Sequence, residues 1–278
     1  MAGDSVEVTS GGVRLHALEY GRGAGPPIVI VPGITSPAAT WEFVSAELAR
    51  DHHVVCLDVR GRGLSDHPSS GFTLPDYAAD VAALVTGLGL DRPSVLGHSM
   101  GARIAVAFGA LHPELRGPLV VVDPPLTGPG RPPYATPLAA FLDELRASRT
   151  GEAAELTRRN FPSWSAEHLA LRAAWLPTCD ERAVAETYRL FYEEDLFAYW
   201  RELAAPLLFV WGSESPAVSE SGAREVAAAN PRAQIAAVAG AGHMVPWDAL
   251  PGFLDVVRRF MQEQSSKKEE THGADTAR

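Results

Sequence analysis

Residues 93–112 read "PSVLGHSMGARIAVAFGALH", and the way this stretch folds decides the architecture. An apolar run enters Gly97, the pattern Gly-x-Ser-x-Gly spans Gly97 to Gly101, and a helical pattern leaves it. At such a strand–turn–helix crossing the central serine sits on a strained turn. Small residues at 97 and 101 avoid backbone collisions, so the serine oxygen projects from the sheet. The helix behind it points free N–H groups and its positive dipole end at any negative charge that develops there. Ser99 is therefore a candidate nucleophile.

The surroundings carry the same grammar. "PPIVIVPG" (26–33), "HHVVCLDVRG" (52–61) and "GPLVVVDPP" (117–125) are short, dense and β-branched, as strands buried on both faces of a parallel sheet require. "PLLFVWG" (206–212) and "AQIAAVAGAGH" (233–243) extend the set. Between them lie helical patterns. In 74–90, Tyr77, Val81, Leu84, Val85 and Leu88 mark one buried stripe, and Ser36–Pro37 reads as an N-cap followed by a first-turn proline. This alternation predicts an α/β fold, a mostly parallel twisted sheet with helices on both faces. "VEVTSGGVRLHALEY" (6–20) predicts an antiparallel edge hairpin turning at Gly11–Gly12.

The alternation stops between 126 and 205. A Pro/Gly-rich segment leads there into helical pattern with many large aromatics and no strand, which predicts an inserted helical cap. The core is then 1–125 and 206–264, and the tail 265–278 has too little to bury and is expected to be disordered.

A chain of 278 residues with 46% hydrophobic content can bury a large core. Its net charge of −10 argues against nucleic acid and anionic membranes as partners, but not against a small anionic substrate, since a few arginines in a pocket override the global sign. Two cysteines are too few for a disulfide framework. With no signal-peptide pattern and no run approaching a membrane span, a soluble, cytoplasmic protein, monomeric or a homodimer, is the expectation.

A serine hydroxyl needs a base and a carboxylate to attack. Of nine histidines, His243 lies in the loop directly after the last strand, in "GAGHMVPWD", at the end of the sheet where open α/β folds place their chemistry, while His272 falls in the tail. His98 adjoins the serine, but consecutive side chains diverge on such a turn. For the carboxylate, Asp123 ends the "LVVVD" strand and is favoured over Glu214, which lies in a Ser-rich loop. The order Ser–Asp–His follows. Two backbone amides should bind the oxyanion, Met100 after the nucleophile and Ile34 in "PGIT". No pattern suggests a metal, and "GRGLSD" lacks the last glycine of a dinucleotide fingerprint. Asp58, Arg60 and Arg62 in "LDVRGRGLS" read as loop-fixing residues, and Cys56 as core.

Together "VPGIT", "LDVRGRGLS", "GHSMG", Asp123 and "GAGHMVPW" resemble the α/β-hydrolase superfamily over nearly the whole chain. "VPGITSPAATWEFV", "VDPPLTGPGRPPY" and "LALRAAWLPTC" narrow the resemblance to a deformylase branch of it. That resemblance implies cleavage of a formyl–nitrogen bond in a small anionic amide through a formyl-serine, without metal or cofactor. A short-chain carboxylesterase or enol-lactonase, or a non-catalytic receptor on the same scaffold, are the alternatives. Such a substrate needs a cation in a pocket kept dry by aromatics. Arg131 at the cap mouth is the first candidate, with Tyr134 as a donor beside it and Trp164 among the aromatics. Arg103, one turn after Ser99, reads equally well as a buried structural residue; Arg172 and His168 are weaker options.

Overall fold

The computed structural model of the chain describes residues 3–150 and 153–275. Its eight strands are β1 (Asp4–Ser10), β2 (Val13–Tyr20), β3 (Pro27–Val31), β4 (His53–Leu57), β5 (Ser94–His98), β6 (Leu119–Val122), β7 (Leu207–Gly212) and β8 (Gln234–Val238). They form one sheet in the order β1-β2-β4-β3-β5-β6-β7-β8. Only the β1–β2 and β2–β4 pairs are antiparallel. The expected hairpin is present at the edge, and Gly11 and Gly12 both take positive φ (53° and 85°), the geometry a two-residue turn between twisted strands demands.

The helices of the core are α1 (Glu42–Leu48), α2 (Leu74–Gly87) and α3 (Met100–Leu111). Five more, α4 (Leu138–Thr150), α5 (Ala153–Asn160), α6 (Ala166–Trp175), α7 (Glu181–Glu193) and α8 (Leu196–Glu202), lie between β6 and β7, where the cap was expected, with no strand among the described residues there. After β7 come α9 (Glu220–Ala229), α10 (Val245–Asp248) and α11 (Leu250–Asp275). The sheet separates two apolar layers. Tyr77, Val81, Leu84 and Val85 of α2 join residues of α3 and the inserted helices on one face. Val44 and Leu48 of α1 and Phe253, Val257 and Phe260 of α11 fill the other. The central strands are buried on both faces, which is why they read as unbroken apolar runs.

Two local expectations are corrected. Ser36 caps no helix: a short 3-10 turn begins after Pro37 without a side-chain cap, and its Ala38 N–H donates to the Asp58 carboxylate at 2.6 Å. Asp58 takes the capping role because it is buried at the end of β4, where it also accepts from Leu64 N–H and from His16. The tail is the second case. The final helix continues to Asp275, where disorder was expected from residue 265; residues 276–278 lie outside the described residues. Gln, Glu and Lys are good helix formers, and extending a helix already anchored by Phe253 and Phe260 avoids the nucleation cost.

Candidate active site

The crossing from β5 to α3 makes Ser99 accessible and explains its flanking glycines. A Cβ on Gly97 would sit 2.1 Å from the Gly101 carbonyl oxygen, and one on Gly101 would sit 1.9 Å from the Val31 carbonyl oxygen. Neither position accepts a side chain. Ser99 itself is held at φ 55°, ψ −117°, a strained conformation for a residue with a Cβ.

Three strand ends bring Ser99, His243 and Asp123 together. The Ser99 hydroxyl lies 3.0 Å from His243 Nε2, and His243 Nδ1 lies 2.7 Å from the Asp123 carboxylate. Asp123, fully buried and at φ 47°, accepts in addition from Gly212 N–H at 3.1 Å and from the Ser215 hydroxyl at 2.6 Å. A buried carboxylate with its oxygens so occupied accepts a hydrogen bond from Nδ1–H, which leaves Nε2 as the acceptor facing Ser99. Glu214, the competing acid, is exposed; it meets this loop through its backbone N–H, which donates to the Ala241 carbonyl.

Ile34 lines the cavity with Ser99, and Met100 follows the serine in the chain. Met100 is the first residue of α3, so its N–H has no partner within the helix. The Gly33 carbonyl accepts from Ser36 N–H at 3.2 Å, which turns the Ile34 N–H of the same peptide plane the opposite way. Gly33 lies against the serine, since a Cβ there would be 3.4 Å from Ser99 Cβ. Buried Arg62 holds this loop, donating to the Ile34 carbonyl at 3.1 Å and to Tyr77 and Thr187. The "LDVRGRGLS" segment therefore fixes a loop, as its sequence suggested.

His98 faces the base from below. Its Nε2–H donates to the His243 carbonyl at 2.9 Å, and its ring packs on Trp41. Burial, and after it the proximity of His243, push its pKa down to about 3. The folded protein thus keeps His98 neutral while the unfolded chain protonates it, so stability contributed by this residue is present above about pH 6.5 and declines as pH falls. Below that pH, urea unfolding should show a loss of about 1.4 kcal/mol per pH unit attributable to His98. His98→Gln should flatten the slope by that amount, and an unchanged slope would count against it.

A cavity of about 460 Å³ opens beside Ser99 and His243, walled by Ile34, Tyr134, Phe141, Phe161 and, far from the base in sequence, Arg172. Tyr134 lines this cavity with its hydroxyl 3.0 Å from His243 Nε2, not paired with Arg131. The three other residues expected at the substrate do not line it. Arg131 turns away: its Nε–H donates to the Leu126 carbonyl at 2.5 Å and its two terminal nitrogens clamp Glu225 of α9 at 2.8 and 2.7 Å. Arg103 is spent on backbone carbonyls of Pro125, Thr127 and Glu194, as a buried residue that locks the start of the insertion. Burial pushes its pKa down to about 10, against the pull of Glu194 and Asp195. Trp164 stands behind the wall, stacked between Phe161 (4.3 Å) and Trp247 (5.3 Å), and ties the insertion to the His243 loop.

Arg172, a weaker option in the sequence, lines the cavity that Arg131 does not. It is buried and paired through two bonds to Glu144 (2.9 and 2.6 Å), and it donates to the Thr35 carbonyl at 3.2 Å. Burial works against its charge, but the Glu144 carboxylate more than offsets this and holds the guanidinium above its ordinary pKa. Its pairing spans α4 and α6, which no local sequence signal predicts.

This fold and this grouping of a serine, a histidine and an aspartate at strand ends are those of a hydrolase, and the model of the alpha/beta hydrolase family matches residues 28–255. The chain belongs to that family. It is 40% identical over 255 residues to N-formylmaleamate deformylase of Pseudomonas putida, covering 91% of this chain and 95% of that protein. It is 29% identical to 2-(acetamidomethylene)succinate hydrolase of Mesorhizobium japonicum, covering 87% and 89%. A crystal structure of an N-formylmaleamic acid deformylase variant from Pseudomonas putida S16 superposes with a TM-score of 0.87 at 35% identity, covering 91% of this chain and 100% of that one. Among the described residues no helix is long and apolar enough to cross a membrane.

Proposed function

We propose that the chain is a serine hydrolase that cleaves the formyl–nitrogen bond of N-formylmaleamate, giving maleamate and formate. The observation that carries this reading is the line Ser99–His243–Asp123 opening on a small cavity whose wall holds a buried arginine. The 40% identity to a deformylase over nearly its full length supports the choice of bond.

In this reading Ser99 Oγ attacks the formyl carbon while its proton passes to His243 Nε2. Asp123 keeps the imidazole in the required tautomer and stabilises the imidazolium. The formyl oxygen becomes an oxyanion between the amides of Met100 and Ile34, each worth on the order of 3 kcal/mol to the transition state. The formyl–nitrogen bond then breaks, and the imidazolium returns its proton to the departing nitrogen. Conjugation with the second carbonyl makes this nitrogen a better leaving group than an amine. Water, deprotonated by the same Nε2, attacks the formyl-serine and releases formate. Arg172 supplies the cation for the substrate carboxylate, through the guanidinium N–H that its partners leave free.

The discriminating experiment compares formate release from N-formylmaleamate with hydrolysis of p-nitrophenyl acetate. Formate from the wild type and none from Ser99→Ala is the expected result. Ester turnover without formate would replace the deformylase reading by a carboxylesterase.

A further inference from the structure

Two hydroxyl groups, not one, face the base. The Tyr134 phenol lies 3.0 Å from His243 Nε2, the same distance as Ser99 Oγ. With Nδ1–H committed to Asp123, Nε2 has a single lone pair for which both hydroxyls compete. The phenol is fixed rather than wandering. Its ring stacks on Phe141 and meets Phe191 edge-on, and its main-chain N–H donates to the Tyr192 hydroxyl.

We propose that Tyr134 is a further catalytic residue, whose hydroxyl donates a hydrogen bond to the leaving group as the bond to the acyl carbon breaks. The argument rests on the serine-hydrolase reading above and on a change of polarity at Nε2. Before attack, Nε2 accepts a hydrogen bond from one of the two hydroxyls. Once it has taken the Ser99 proton it is a donor, and it no longer accepts from Tyr134. The phenol O–H, lining the cavity and stripped of its acceptor, turns to the atom that is gaining charge. For the amide substrate the bond electrons pass to the nitrogen and into the neighbouring carbonyl oxygen; Nε2–H delivers its proton to the nitrogen, and Tyr134 keeps its own. Burial above all, with the nearby Asp123 charge, holds the phenol well above its ordinary pKa, so it remains a donor throughout. The donor is therefore released in step with the need for it.

A leaving-group donor matters most where the leaving group is poor, and this separates it from a packing role. The test measures kcat/KM, which reports acylation, for wild type and Tyr134→Phe on N-formylmaleamate and on acetate esters of p-nitrophenol, phenol and trifluoroethanol. Phenylalanine keeps the ring contacts. The expected result is a roughly 10- to 100-fold loss on the amide, under threefold on the p-nitrophenyl ester, and a steeper dependence on leaving-group pKa across the esters. Equal losses on all substrates would reduce Tyr134 to a structural role, and a gain on all would show it only competes for Nε2; either overturns the proposal. If the wild type releases no formate yet cleaves the esters, the deformylase reading fails while the ester slopes still decide Tyr134. A wild type inert on both classes overturns both.

Discussion

Asp123→Asn is expected to lower kcat for formate release by about 10⁴-fold, and Ser99→Ala by roughly 10⁶-fold, each with the fold intact. The first number follows from how the carboxylate is held. The Gly212 N–H donates to Oδ1, and that buried amide keeps a partner only if an asparagine places its carbonyl oxygen there. The amide nitrogen must then occupy the Oδ2 position, toward Ser215 and His243. A donor facing Nδ1 forces the proton of the imidazole onto Nε2, where it can no longer accept from Ser99. Geometry is preserved and the base is lost. Steady-state formate assays, with thermal melts to verify folding, measure both variants. If Asp123→Asn stays within tenfold of wild type while Glu214→Gln falls, the acid is Glu214 and the assignment is wrong.

The residues of this grouping were legible in sequence for a physical reason. Ser99 and Asp123 directly follow β5 and β6, His243 lies in the loop after β8, and parallel strands deliver their C-terminal ends to one edge of the sheet. Position along the chain was thus a proxy for position in space. Arg131 and Arg172 show where the proxy stops. Arg131 sits at the entrance of the insertion by chain position, but its side chain folds back onto Leu126 and α9, 94 residues downstream. Arg172 reaches the cavity because Glu144, 28 residues earlier, holds it there. Neither pairing leaves a local pattern, since helix-to-helix contacts in an insertion have no strand register to fix them. The fold was more legible still, because runs buried on both faces and a Gly–Gly hairpin are local signals. The tail misled because composition reports what a segment can bury, not what it inherits from the helix before it.

Arg172→Met should separate the two jobs of the buried pair. Removing the guanidinium leaves Glu144 in the wall of the cavity with Thr157 as its remaining side-chain donor. An uncompensated buried carboxylate costs about 3–5 kcal/mol, which for a chain of this size lowers Tm by on the order of 10 °C. The double variant Arg172→Met, Glu144→Leu removes both charges and should recover most of that loss, because an apolar pair of similar volume needs no desolvation of ions. Affinity should not recover with it. A charge-assisted hydrogen bond to the substrate carboxylate is worth about 1.5–3 kcal/mol, so KM for N-formylmaleamate should stay roughly 10- to 100-fold above wild type in the stable double variant. A neutral formamide of similar size provides the control, since it has no carboxylate to lose. Wild-type KM for N-formylmaleamate in the double variant would remove Arg172 from substrate binding. A fall of kcat on the neutral formamide would assign it instead to holding the Thr35 carbonyl, and through it the Ile34 amide of the proposed oxyanion site.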